Sequence, residues 1–263
     1  MEERKITIEN LEVNYKTFGS SSCAKASEDK TILVLHGWGA GSAAWVEAAA
    51  LLAQEKLQVI VPDMPGFGKS QAPKTAWRID DYVDWVKNFA DEMKLKKFIL
   101  IGYSFGGQAA AKFCAVYPEK VDKLILCAAA IIRRERLGRR QKIARFLSQA
   151  KIMKRYIPFG IYSLLRKAVY RVGGSKDYAM AQGIMAQIFQ NVSKEDALER
   201  VRQIKVSTLI VWGEKDNETP LADAYEISRR LISSKLITIP DAGHKLHRTH
   251  AQELKNIIFK FLK

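Results

Sequence analysis

Short, unbroken apolar runs recur along the chain, separated by longer stretches in which apolar positions return every three or four residues. The runs "TILVLH" (31–36), "LQVIV" (57–61), "KFILIG" (97–102), "KLILCA" (123–128), "TLIVWG" (208–213) and "KLITI" (235–239) predict strands. They are continuous rather than alternating, as expected of a parallel sheet with helices on both faces. Between them, residues 42–54, 79–94, 105–117, 220–231 and 250–262 have helical spacing. The second of these opens "RIDDYVDW", with acids where the positive end of the helix dipole favours them. The alternation of strand and helix predicts an α/β fold with a mostly parallel, doubly wound sheet. Only the first segment, "KITIENLEVNYKTFG", alternates polar with apolar, which predicts an antiparallel hairpin at the sheet edge.

The pattern changes after residue 132. From 133 to 204 it is helical throughout; "RRQKIARFLSQAKIMKRYI" sets Ile143, Leu147, Ala150 and Met153 on one stripe. Strands then resume. The prediction is a core of residues 1–132 and 205–263, interrupted by a helical cap over 133–204. Within that insertion, Phe146, Leu147, Met153, Met180, Met185 and Phe189 are either ordinary core or the lining of an apolar pocket. "GSSSCAKASEDK" (19–30) reads as an exposed polar loop.

Charge adds one feature. The chain of 263 residues has a formal net charge of +15, and the stretch from Arg133 to Lys176 holds fourteen Lys or Arg against one acid, Glu135. Such a block suits a solvated basic face or weak contact with an anionic membrane; no motif points to nucleic acid. The start is charged, and the longest apolar run, "LILCAAAII", has nine residues, so neither a secretory signal nor a transmembrane helix is expected. Cys23, Cys114 and Cys127 fit no metal or redox spacing. These features suit a cytoplasmic protein, with no metal and no cofactor expected.

Candidate chemistry begins with "GYSFGG" (102–107), which lies between a predicted strand and a predicted helix. A serine on such a sharp turn is pushed out above the sheet edge, and its neighbours two residues away must be small. Gly102 and Gly106 meet that need for Ser104. A serine needs a base to act as nucleophile. Of His36, His244, His247 and His250, His244 in "IPDAGH" follows the last strand at the same sheet edge. His36 reads as a brace for its loop, and His247 and His250 as solvated. The base needs an orienting carboxylate. The turn after "TLIVWG" offers Glu214, Asp216 and Glu218, of which Asp216 is best placed. Backbone amides suit a developing oxyanion; Phe105 supplies one and Trp38, in "HGWGAG", the other. "DMPGFGKS" (63–70) lacks phosphate-loop spacing and reads as a structural turn held by Asp63.

With "HGWG", "DMPGFGKS", "GYSFGG", "VWGEKD" and "DAGH" in this order, the chain resembles the α/β-hydrolase fold family over nearly its whole length. The resemblance implies Ser104 as nucleophile, Asp216 as acid, His244 as base, Trp38 and Phe105 as oxyanion donors and 133–204 as a cap. From "HGWG" to "GFGKS" the chain is similar to carbon–carbon bond hydrolases of ring-cleavage products. Those carry Trp directly after the catalytic histidine, where Lys245 stands here. Ser207 replaces a common proline, and "HRTHAQE" lacks the usual Glu-Ala-Pro. The expectation is a serine hydrolase of small or medium-sized carboxylic esters. The alternatives are a carbon–carbon bond hydrolase and a ligand-binding protein of the same fold with little turnover.

Overall fold

In a computed structural model, residues 1–19, 31–54, 57–133 and 183–263 are described. The predicted helix over 139–157, Phe146, Leu147, Met153 and Met180, the polar loop from residue 20 and Cys23 lie outside them.

Eight strands form one sheet: β1 (Glu2–Ile8), β2 (Leu11–Phe18), β3 (Thr31–Leu35), β4 (Gln58–Pro62), β5 (Phe98–Tyr103), β6 (Val121–Cys127), β7 (Thr208–Gly213) and β8 (Ser234–Ile239). Their spatial order is β1-β2-β4-β3-β5-β6-β7-β8. The pairs from β4 to β8 are parallel, whereas β2 runs antiparallel to both β1 and β4. The edge hairpin turns at Glu9 (φ 48°) and Asn10 (φ 66°), the pair of positive values that a two-residue turn matching strand twist requires.

The helices are α1 (Val46–Ala53, led in by a 3₁₀ turn over Ser42–Trp45), α2 (Ile79–Glu92), α3 (Phe105–Val116), α4 (Ile184–Val192), α5 (Leu198–Val201), α6 (Leu221–Arg230), α7 (Leu246–Thr249) and α8 (Ala251–Leu262). β3, β5, β6 and β7 are buried almost throughout, which explains their continuous apolar runs. β8 is an exception. Its sequence predicts a buried strand, but only Ile239 is fully buried, because β8 pairs on one side alone. The predicted terminal helix 250–262 is α8, and a single turn that the pattern does not predict, α7, precedes it.

The chain leaves β3 in one direction to make β4, then returns to the other side of β3 with β5. Strand order therefore reverses between β3 and β5, and open α/β sheets form their crevice outside the strand ends at such a point. The loop after β3 carries "HGWG" and the turn after β5 carries Ser104, so both motifs meet there.

Ile188, Val192, Ala197, Val201 and Ile204 join the same buried core as the sheet. The return of the chain from the insertion is stitched to its departure point. Arg133 N donates to Asp196 Oδ2 (2.8 Å), and the Arg133 guanidinium reaches Gln108 Oε1 (2.5 Å) and the Val192 carbonyl (3.2 Å). Among the described residues no helix is long and apolar enough to cross a membrane.

Candidate active site

Ser104 has φ 52° and ψ −116°, a conformation that a residue with a β-carbon rarely adopts. Several hydrogen bonds hold it there. Its amide donates to the Cys127 carbonyl (3.1 Å), and its carbonyl accepts from Gly107 (2.9 Å), Gln108 (3.2 Å) and Ala130 (2.9 Å). Glycine is required on both flanks. A β-carbon on Gly106 would stand 2.2 Å from the Leu35 carbonyl oxygen, and one on Gly102 2.6 Å from that of Gly106. The turn thus packs the start of α3 directly against the end of β3.

Three sequence-predicted side chains meet at this turn. His244 Nε2 lies 3.0 Å from Ser104 Oγ, and His244 Nδ1 lies 2.8 Å from Asp216 Oδ2. His244 and Asp216 are buried, while Ser104 is partly open to solvent. The loop after β7 offers three carboxylates and uses them differently. Asp216 faces His244, Glu214 accepts from Thr238 Oγ1 (2.9 Å), and Glu218 Oε2 stands 3.7 Å from His244 Nε2.

Asp216 is fixed from both ends. Its Oδ1 accepts from the amides of Glu218 (2.8 Å) and Thr219 (2.9 Å), and its Oδ2 from Thr219 Oγ1 (2.8 Å). Burial opposes its charge, but the bonds from His244 and Thr219 outweigh that cost and hold the carboxyl below its ordinary range. With Asp216 ionised, the proton on His244 belongs on Nδ1, leaving Nε2 free to accept from Ser104. Thr219 was not among the sequence candidates, although an Asp followed three residues later by Thr is a recognisable local side-chain turn.

The other histidines take no part in this chain of bonds. His36 is fully buried; its Nδ1 donates to the Gly37 carbonyl (2.9 Å) and its Nε2 accepts from the Met64 amide (2.9 Å), tying the loop after β3 to the loop after β4. Burial keeps it neutral by pushing its pKa down. Asp63 anchors the same region, accepting from Ser42 N (2.5 Å), Asn14 Nδ2 (2.8 Å) and Lys69 N (3.0 Å). Burial opposes its charge too, and these donors still hold its carboxyl low.

His247 corrects the sequence reading, which placed it in solvent. It is only 3% exposed, because the single turn α7 directs Leu246 and His247 inward before α8 begins. Its ring stacks on Trp45 (4.8 Å between centroids) and packs on Tyr103 (4.2 Å), which in turn contacts His244 (5.1 Å). Burial and the nearby positive charges push its pKa down to about 3, so it is a neutral spacer behind the site.

Trp38 and Phe105 stand together at the opposite wall. The Phe105 amide opens α3, where no intrahelical acceptor exists for it. The Trp38 ring packs against Phe67 (4.9 Å), Phe189 (5.0 Å) and Phe105 (5.3 Å), and Met185 lies against Gly66. Phe189 and Met185 of α4 therefore reach the loops that border Ser104. Among the described residues no cluster of His, Cys, Asp or Glu has the makings of a metal site.

Comparison with known proteins adds an independent line. The alpha/beta hydrolase fold profile matches residues 30–158, and a profile described as TAP-like protein matches residues 178–263. A 2-hydroxy-6-oxononadienedioate/2-hydroxy-6-oxononatrienedioate hydrolase of Escherichia coli strain K12 is 25% identical over 253 residues, covering 89% of this chain and 87% of that one. Among solved structures, an enol-lactonase from Burkholderia xenovorans LB400 superposes with a TM-score of 0.75 at 18% identity, covering 98% of this chain and 99% of that one. A thermophilic esterase from Thermogutta terrifontis gives 0.71 at 21% identity, covering 100% and 98%.

Proposed function

The chain belongs to the α/β-hydrolase fold family, and from that premise we propose that it is a serine hydrolase cleaving carboxylic esters through an acyl-enzyme on Ser104. The observation that carries this reading is the unbroken line from Ser104 Oγ through His244 to Asp216, at 3.0 and 2.8 Å. His244 Nε2 takes the Ser104 proton as Oγ attacks the acyl carbon. The oxyanion that forms is received by the amides of Trp38 and Phe105. The carbon–oxygen bond then breaks, and the proton on Nε2 passes to the departing alkoxide. Water, activated by the same nitrogen, releases the acid and restores Ser104. Asp216 holds the proton on Nδ1 and stabilises the imidazolium. The helical insertion that begins at residue 133 is read as the cap, its last part from Val192 to Ile204 packing into the sheet core, with Trp38, Phe105 and Phe189 on the acyl side.

A fluorophosphonate probe tests this. It is expected to label the wild type and not Ser104→Ala; folded wild type that takes no label overturns the reading. Carbon–carbon bond hydrolysis is the second reading, supported by the Escherichia coli relative. Lys245 in place of Trp after the histidine sets it behind ester hydrolysis. Turnover of a ring-cleavage product faster than any ester in a panel of acyl chains would reverse that order.

A further inference from the structure

The group that leaves from Ser104 has a defined neighbour. A general acid must lie within hydrogen-bond reach of the atom it protonates, so the departing atom sits beside His244 Nε2. Glu218 Oε2 stands 3.7 Å from that same nitrogen. It arrives there through the turn that fixes Asp216, since the Glu218 amide donates to Asp216 Oδ1. A cavity of about 290 Å³ opens at this point, bordered by Asn217, Glu218, His244, Lys245 and Thr249. Lys215 also borders it, but its ammonium is paired with Asp241. The wall by His244 is thus polar and charged, whereas the wall by Trp38 is aromatic.

We propose that Glu218 is a specificity-determining residue for the leaving group: it disfavours esters whose alcohol half is anionic and favours those whose alcohol half is cationic or rich in hydroxyls. This deepens the serine-hydrolase reading and rests on it. The chemistry is electrostatic. During acylation the carbon–oxygen bond breaks and the leaving oxygen takes the proton from Nε2, within range of the Glu218 carboxylate. A negative group carried on that fragment is repelled, a positive one is attracted, and a hydroxyl can donate to the carboxylate. At about 6 Å, with an effective dielectric constant of about 40, Coulomb's law gives roughly tenfold discrimination for one unit charge.

The test uses three butyrate esters that share the acyl group: those of phenol, of 4-hydroxybenzoate and of 3-hydroxyphenyltrimethylammonium. kcat/KM is measured for wild type, Glu218→Gln and Glu218→Asp; comparing proteins cancels the intrinsic reactivity of each ester. Gln keeps the backbone bond to Asp216, and the side chain is 58% exposed, so the fold has no reason to change. The expected result is a fall of about a hundredfold in the cationic-to-anionic ratio for Glu218→Gln, about tenfold from each charge, with the preference retained in Glu218→Asp. The wild-type ratio is expected to shrink in 1 M salt, since exposed charges are screened. A loss of packing would slow all three esters alike and leave the ratio intact. A ratio in Glu218→Gln within twofold of wild type, with Ser104 still labelled by fluorophosphonate, overturns the role of Glu218 alone. Wild type that neither takes the label nor hydrolyses any ester overturns both proposals.

Discussion

Replacing Asp216 with Asn turns the geometry of the site against itself. Asn has one acceptor oxygen and one donor nitrogen where Asp has two acceptors. The Oδ1 position faces the amides of Glu218 and Thr219 at 2.8 and 2.9 Å, and both can only donate. The Asn oxygen must therefore occupy that side. Its NH₂ then points at His244 Nδ1, where the Asp216 oxygen lies 2.8 Å away, and can only donate to it. That pairing moves the imidazole proton to Nε2, and Ser104 faces a donor instead of a base. Flipping the amide restores the tautomer but leaves two backbone N–H groups opposed, at about 1–3 kcal/mol each. The productive form is then present at roughly 10⁻² to 10⁻⁴, before any loss of imidazolium stabilisation is counted. Thr219 Oγ1 supplies a control, since it lies 3.2 Å from Nδ1 and can accept its proton when no side-chain amide competes. The expected outcome in steady-state assays on a short-chain ester is a fall in kcat of at least a hundredfold for Asp216→Asn and a smaller fall for Asp216→Ala. Both variants should show native circular dichroism. A folded Asp216→Asn protein within tenfold of wild type, or faster than Asp216→Ala, refutes the tautomer argument.

Two further outcomes concern the support beneath the site. Asp63→Asn leaves either Ser42 N or the Lys69 and Asn14 donors facing an NH₂ group, which costs about 2–5 kcal/mol and lowers Tm by roughly 5–15 °C in calorimetry. Because the folded carboxyl is held low, the stability it contributes is present above the ordinary carboxylate range and is lost as pH falls through the folded value; the variant is expected to lack that part of the acid limb. For His247 the unfolded chain binds a proton more readily than the folded one between the ordinary value near 6.5 and about 3, so stability falls as pH drops across that window. His247→Phe removes this proton uptake and an Nδ1 with no partner among the described residues. Urea titrations at pH 7 and pH 4.5 are expected to show a smaller loss of stability for the variant than for wild type; an equal loss speaks against a buried neutral ring.

Much of this arrangement is legible in the chain because it depends on local rules. Buried parallel strands must be apolar on both faces, so β3, β5, β6 and β7 stand out as continuous runs. A serine between glycines at a strand-to-helix turn is readable for the same reason, since the crowding that excludes a β-carbon is a property of the turn. What escapes is whatever depends on distant packing. β8 resembles a buried strand until its edge position is known. His247 looks like surface because nothing near it in sequence discloses that Trp45 and Tyr103 enclose it. Glu218 stands in the sequence as one of two acids passed over in favour of Asp216, and only the path of the loop sets it beside Nε2 while Glu214 turns to Thr238.

The knot of bonds around Arg133 has a further meaning for how such a chain can change over generations. Arg133 ties the point of departure to Asp196 and Val192 and, through Gln108, to α3, the helix that follows Ser104. The described ends of this excursion are clasped together beside α3. Lengthening such an excursion adds only a logarithmic closure cost, about 0.6 kcal/mol for each doubling. The length of the excursion can therefore drift at little cost to the core, while the clasp keeps the start of α3 in place.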